Sequence, residues 1–260
     1  MPGLRETIIV VLTASCLSML AAARPARAAD GDLQSYTLQN FRLESGAVLP
    51  QATIVYGTYG TLNAAHDNVV LTPSHFMAKW DGYGFVIGPN LALDPAKYFI
   101  VATEMFGNGE SSSPSNTPEP FHGPRFPVTA IRDNVEAVHR LLTEKLGITH
   151  LRAIVGFSIC GEQAFQWAVS YPDFMDKIVV TSATARAYPH GQTRLEGQIA
   201  AITADADFKR GDYTSPPTRG LEAFGVVWGA CLYSQQWWRD QLWLKRNPGA
   251  TYDDVLVDRT

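Results

Sequence analysis

Cysteine is scarce in this chain: three residues, and no Cys-x-x-Cys pair anywhere. That excludes a disulfide framework and a four-thiolate zinc site, and nothing in the sequence brings Cys160 and Cys231 within bonding distance, so no bridge is predicted. Positive charge is also short. Lys and Arg number 21 against 25 Asp and Glu, a formal net charge of −4. Phosphate binding needs clustered cations, so no nucleic-acid partner is expected. No internal repeat, heptad run or low-complexity linker marks a second independent domain. What is present, 46% hydrophobic and 18% charged residues over 260 positions, suffices for one sizeable buried core.

The N-terminus is set apart from the fold. Arg5 precedes an uncharged run of sixteen mostly apolar or small residues, Ile8 to Ala23, and Ala26-Arg27-Ala28 offers an A-x-A cleavage pattern. This is the pattern of a secretory signal peptide. The run falls short of the roughly twenty residues a bilayer-spanning helix needs, so no stable membrane anchor is expected. The sequence predicts export, periplasmic or secreted, with cleavage near Ala28.

Downstream, Tyr36 to Leu43 alternates at the strand period, Ser45-Gly46 offers a turn, and Thr53 to Tyr59 is rich in β-branched and aromatic residues. These predict an antiparallel pair. Short continuous apolar runs follow at Val69–Thr72, Tyr98–Ala102, Ala153–Phe157 and Lys177–Thr181, the pattern of parallel strands covered on both faces by helices. The spacing predicts a helix over Val128–Leu146, closed by Gly147. The fold class read from these elements is α/β. Between them, 106–127 is crowded with Gly, Ser, Asn and Pro and reads as a loop at the edge where α/β sheets bind ligands; an inert surface loop is the competing reading. From Ala185 the chain turns helical and aromatic-rich, with Trp228, Trp237, Trp238 and Trp243 close together.

Gly156-Phe157-Ser158-Ile159-Cys160-Gly161 sits where the 153–157 strand ends and a helix begins. A sharp strand-to-helix turn lifts a serine hydroxyl above the sheet edge, with small neighbours because strand and helix backbones nearly touch. The next residue's N–H then faces a developing oxyanion at the positive end of the helix dipole. Ser158 is therefore the candidate nucleophile. Cys160 stands where the G-x-S-x-G pattern has its second glycine, and a plain helix cap is the alternative role for Ser158.

This elbow, with Gln163 to Trp167 and Tyr171-Pro172-Asp173, resembles the homoserine O-acetyltransferase family of the α/β-hydrolase superfamily, and in particular its hydrolase-like branch. Gly88-Pro89 with Leu93-Asp94-Pro95, Met105 to Gly109 with Ser111 to Asn116, and Arg125-Phe126-Pro127 extend the resemblance from about Tyr36 to the chain's end. The resemblance implies a mostly parallel eight-stranded sheet with a helical lid after the sixth strand. With residues 1–28 read as the signal peptide, it divides the rest into a 29–184 core and a 185–260 lid region. It also implies acyl transfer through a covalent acyl-serine, with the backbone N–H groups of Ile159 and Phe76 as oxyanion donors; an apolar wall is the other role open to Phe76. Neither cofactor nor metal is implied; acyl-CoA enters only as the co-substrate of a transfer reaction. The partner is a small ester or acyl substrate, and a homodimer is the one self-association considered.

A serine hydroxyl needs an imidazole to take its proton and a carboxylate to orient that imidazole, and in this family both follow the serine. No histidine follows His190. His139 and His150 read as surface residues, whereas His75 and His122 sit in loops that could face the site, and any of His75, His122 and His190 would serve as the base only by breaking that order. The sequence accordingly predicts a C-terminally truncated member lacking the last strands. A catalytically incomplete remnant or binding module is the alternative function. Homoserine-specific members are expected to carry a lid arginine within the stretch matching Gly220–Tyr233; none occurs there, so an apolar acyl or aromatic substrate is favoured.

Overall fold

The computed structural model describes residues 32–76, 79–245 and 247–256. The expected signal peptide lies outside these residues. Six strands form one sheet among them: β1 (Asp32–Arg42), β2 (Val48–Tyr59), β3 (Val69–Pro73), β4 (Phe99–Thr103), β5 (Ala153–Phe157) and β6 (Ile178–Thr181), in the order β1-β2-β4-β3-β5-β6. β1 and β2 pair antiparallel, as their alternation predicts, and β2 also runs antiparallel to β4. The β4-β3-β5-β6 segment is parallel throughout. The central strands β3 and β4 are buried on both faces, which is why they read as unbroken apolar runs. β6 is the last strand of the described sheet, half-buried and exposed positions alternating along it.

One face of the sheet is covered by α1 (Ile131–Arg140), the turn that continues it and α2 (Ile159–Ser170), whose Val135, Val138, Leu141, Leu142 and Trp167 meet Ile54, Leu71 and Ile154. On the other face Tyr83, Ile87 and Leu93, from the connection between β3 and β4, pack against Val70, Ile100 and Ala153. α1 begins three residues later than its apolar period suggests. The reason is Asp133: its carboxylate accepts the Ala130 N–H at 2.7 Å and the Glu44 N–H at 2.7 Å, fixing the first turn and tying it to the β1–β2 hairpin. After Arg140 the helix widens into one π turn over Leu141–Lys145 and closes at Gly147, where φ is +66°.

His139 departs from its expected surface role. Its ring stacks 3.9 Å from that of Tyr171 and lies near Trp167 and Phe174, and burial lowers its pKa. His150 is exposed and pairs with Asp176 at 2.9 Å.

Beyond β6 the chain forms α3 (Pro189–Thr203), α4 (Thr218–Leu232), α5 (Gln235–Arg239) and α6 (Tyr252–Leu256). Trp237, Trp238 and Trp243 pack mainly on one another and on Tyr233 and Tyr252, half-buried in a satellite cluster instead of a deep core. Among the described residues no helix is long and apolar enough to cross a membrane.

Candidate active site

The turn between β5 and α2 carries Ser158 at φ +58°, ψ −130°. A serine rarely adopts a positive φ, because Cβ then crowds the backbone. The strand and helix close so tightly that a Cβ on Gly156 would lie 2.5 Å from the Cys160 carbonyl, which explains the glycine. Ser158 donates its N–H to Thr181 O at 3.0 Å and accepts from the Gly161 N–H at 2.8 Å. Its side chain makes no capping bond. The residue is half-buried, so the strained turn carries a polar side chain that its own helix does not use. Ile159 opens α2, and the N–H groups of Gly161 and Glu162 in its first turn close back on Ser158 O.

Cys160 is wholly buried behind the turn, and burial pushes its thiol up to about 12. Both Cys160 and Cys231 are free. The substitution at the motif's fifth position thus places an inert thiol where the chain needs a small side chain.

Phe76 follows β3 at the same edge of the sheet. Its exposed ring lies 5.4 Å from Trp228 and 6.4 Å from Phe224, both on α4, so the side chain does form an apolar wall. Arg194 of α3 sits over Trp228 at 5.7 Å and offsets part of the burial that raises the pKa of Glu162 on α2. The rings of Tyr83 and Phe157 flank His75, at 5.6 and 5.4 Å.

Glu104, just past β4, was not singled out from the sequence. It is buried, accepts the Trp80 N–H at 2.5 Å on one oxygen and the Asn108 amide on the other, and donates its own N–H to Val55 O at 2.8 Å. Burial raises its pKa, while the two donors pull the other way. The carboxyl thereby joins the connection after β3 to the loop after β4. That loop is ordered by its serines: Ser112 Oγ accepts from Thr53 N–H at 2.8 Å and Ser111 Oγ from Val55 N–H at 3.0 Å, extending the pairing of β2.

Of the other histidines, His122 bonds Thr117 O through Nδ1 at 3.1 Å, and His190 is exposed in the first turn of α3. Among the described residues no imidazole hydrogen-bonds Ser158, and no cluster of His, Cys, Asp or Glu could hold a metal. A cavity of about 470 Å³ runs along the sheet face opposite α1, lined by Val70, Tyr83, Val155, Phe157 and Val179, without reaching Ser158.

Comparison with known proteins gives this turn its context. The family described as the alpha/beta hydrolase fold matches residues 69–205. Ethyl acetate hydrolase of Pseudomonas veronii is 38% identical over 200 residues, 76% of this chain and 57% of its own. A homoserine O-acetyltransferase of Nautilia profundicola is 38% identical over 191 residues, 66% of this chain and 51% of its own. The crystal structure of an acetylester hydrolase from Corynebacterium glutamicum superposes with a TM-score of 0.84 at 32% identity, covering 88% of this chain and 66% of that one. The chain thus spans roughly half to two thirds of the length of these relatives. With its elbow at Ser158, its mostly parallel sheet and esterases and homoserine O-acetyltransferases among its relatives, the chain belongs to the α/β-hydrolase fold family.

Proposed function

We propose that Ser158 is the nucleophile of an acyl transfer to water, and that the substrates are short-chain, uncharged esters. The observation that carries this reading is the strained turn at half-buried Ser158, whose hydroxyl caps nothing. Such strain survives only where the surrounding structure holds it, and it collects at reacting groups. In the proposed reaction Ser158 Oγ attacks the ester carbonyl while its proton passes to a general base. The oxyanion is met by the Ile159 and Phe76 N–H groups, the alcohol leaves with the proton, and water then releases the acid from the acyl-serine. The base and its carboxylate partner are not assigned to any described residue.

Hydrolysis is favoured over acetyl transfer because Gly220–Tyr233 has no arginine to clamp a carboxylate, while Phe76, Phe224 and Trp228 make an aromatic wall. The names of the acetate-ester hydrolases among the relatives point the same way. No cofactor takes part; acyl-CoA belongs only to the transfer alternative. In this reading 185–260 acts as a lid over a 29–184 core, and residues 1–28 direct export. A fluorophosphonate probe tests the nucleophile in the full gene product: one adduct, mapped to Ser158 and lost in Ser158→Ala. Absence of any adduct would favour the second reading, a binding module that keeps the elbow without a relay. That reading draws on the lack of an imidazole bonded to Ser158 among the described residues.

A further inference from the structure

Tyr83 lies in the connection between β3 and β4, far from the elbow in sequence, yet its hydroxyl sits directly beneath it. In β5 the Ile154 N–H bonds Lys177 O at 3.1 Å, and just beyond the strand the Ser158 N–H bonds Thr181 O at 3.0 Å, both toward β6. Strand alternation therefore turns the Phe157 N–H the other way, toward β3. There the pairing with β3 ends at the Leu71–Ile154 register, three residues short of Phe157. A backbone N–H left without an acceptor at such a place costs free energy. The Tyr83 hydroxyl takes the vacant acceptor role, receiving the Phe157 N–H at 3.1 Å.

The residue that enters the turn at Ser158 is thus held by a side chain from the β3–β4 connection. Tyr83 is only 1% exposed, and its ring is fixed between His75 at 5.6 Å and Phe85 at 5.8 Å. Because His75 precedes Phe76, the same ring sets the elbow against the loop that carries the second proposed oxyanion donor. Burial and the neighbouring thiol both raise the Tyr83 pKa, so the phenol keeps its proton.

We infer that Tyr83 is a positioning residue for Ser158: its hydroxyl bridges the β3–β4 connection to the Phe157 N–H and holds the turn in its positive-φ conformation. The bridge itself stands on geometry, and its consequence for reactivity rests on Ser158 being the nucleophile. Two readouts keep these apart. The first is hydrogen exchange resolved to single amides. Tyr83→Phe keeps the ring and removes the bridge, so the Phe157 amide is expected to exchange about tenfold faster, the equivalent of one hydrogen bond, while the Ile154 amide, bonded to β6, stays within twofold. Cys160→Ala leaves the Phe157 bond in place and is expected to change that amide less than threefold.

The second readout is fluorophosphonate inactivation of the full gene product. Tyr83→Phe is expected to lower the maximal inactivation rate about tenfold with the half-saturating probe concentration unchanged, whereas Leu33→Ala, at an exposed position of β1, alters neither. An unchanged Phe157 amide in Tyr83→Phe overturns the bridge. Faster exchange with an unchanged inactivation rate overturns the positioning role and leaves Tyr83 a residue of the fold. Faster exchange in a protein whose wild type takes no probe sustains the bridge and refutes Ser158 as nucleophile.

Discussion

The ring of Phe76, on the loop after β3, rests 5.4 Å from that of Trp228 on α4. With the neighbouring Phe76–Phe224 contact and the Arg125–Asp212 pair at 3.3 Å, it fastens the helical segment after β6 to the sheet edge. Aromatic pairs contribute about 0.5–1.5 kcal/mol beyond the area they bury, so losing this one should loosen the helices locally without unfolding the sheet. Trp228→Ala is expected to speed thermolysin cleavage between residues 186 and 217 about fivefold, the equivalent of roughly 1 kcal/mol of local opening, with exchange in β3–β5 unchanged. Cleavage at the wild-type rate would show that the contact fastens nothing.

Glu104 gives the protein a pH dependence with a definite sign. Its folded pKa is raised by burial above the ordinary glutamate value of 4.5, so folding favours the protonated form. The stability this contributes is fully present below about pH 4.5 and is lost as pH rises through the folded value. Glu104→Gln removes the titration. In urea unfolding at a series of pH values from 4.5 to 8, the wild type is therefore expected to lose ground to Glu104→Gln as pH rises through the folded pKa and to level off above it. A difference that stays flat, or that favours the wild type more at high pH, would mean that the Trp80 and Asn108 donors outweigh burial.

What was legible in the sequence follows from the range over which each signal acts. The six strands could be found because buried strands leave apolar runs and half-buried ones alternate, both local patterns; β5 has the expected bounds, Ala153–Phe157. The elbow was legible because its requirement for small residues is local too, at Gly156 and Gly161. Tyr83 and Glu104 were not, since each acts on residues far along the chain: Tyr83 on Phe157, Glu104 on Trp80. Nothing within a short window separates a bridging tyrosine between Gly82 and Gly84 from a surface one. His139 was misplaced because the rings that enclose it, on and beyond α2, lie about thirty residues further on.

Two glycines should respond to the same substitution with opposite signs. A Cβ on Gly156 would meet the backbone of Cys160 and Gly161 at 2.5 Å, and backbone in so tight a turn cannot move aside. Gly156→Ala is expected to destabilise by about 3 kcal/mol, the upper part of the range for overpacking. Gly191 lies in the first turn of α3 with nothing within 4 Å of the added carbon. There alanine restricts the unfolded chain and suits the helix, so Gly191→Ala is expected to stabilise by about 0.5–1 kcal/mol. A urea midpoint for Gly156→Ala at or above the wild type would contradict the tight contact at the elbow, and one for Gly191→Ala below the wild type would contradict the open helical position.

The turn at Ser158 makes a further claim that stability measurements alone can test. A serine that caps a helix loses about 1 kcal/mol on replacement by alanine, but the Ser158 side chain makes no cap bond. Alanine also inherits the φ of +58° unrelieved. Ser158→Ala is therefore expected to shift stability by less than about 0.5 kcal/mol, within the range of substitutions that remove no specific interaction. Glycine differs, because it adopts a positive φ freely. It recovers roughly 1–2 kcal/mol of backbone strain, less about 0.4–1 kcal/mol for the added freedom of the unfolded chain. The order of stability should thus be Gly above Ser, with Ala close to Ser, and neither variant should take up fluorophosphonate. If alanine instead costs 1 kcal/mol or more and glycine gives no gain, the serine is holding its helix after all, and the strain has no reactive hydroxyl to explain it.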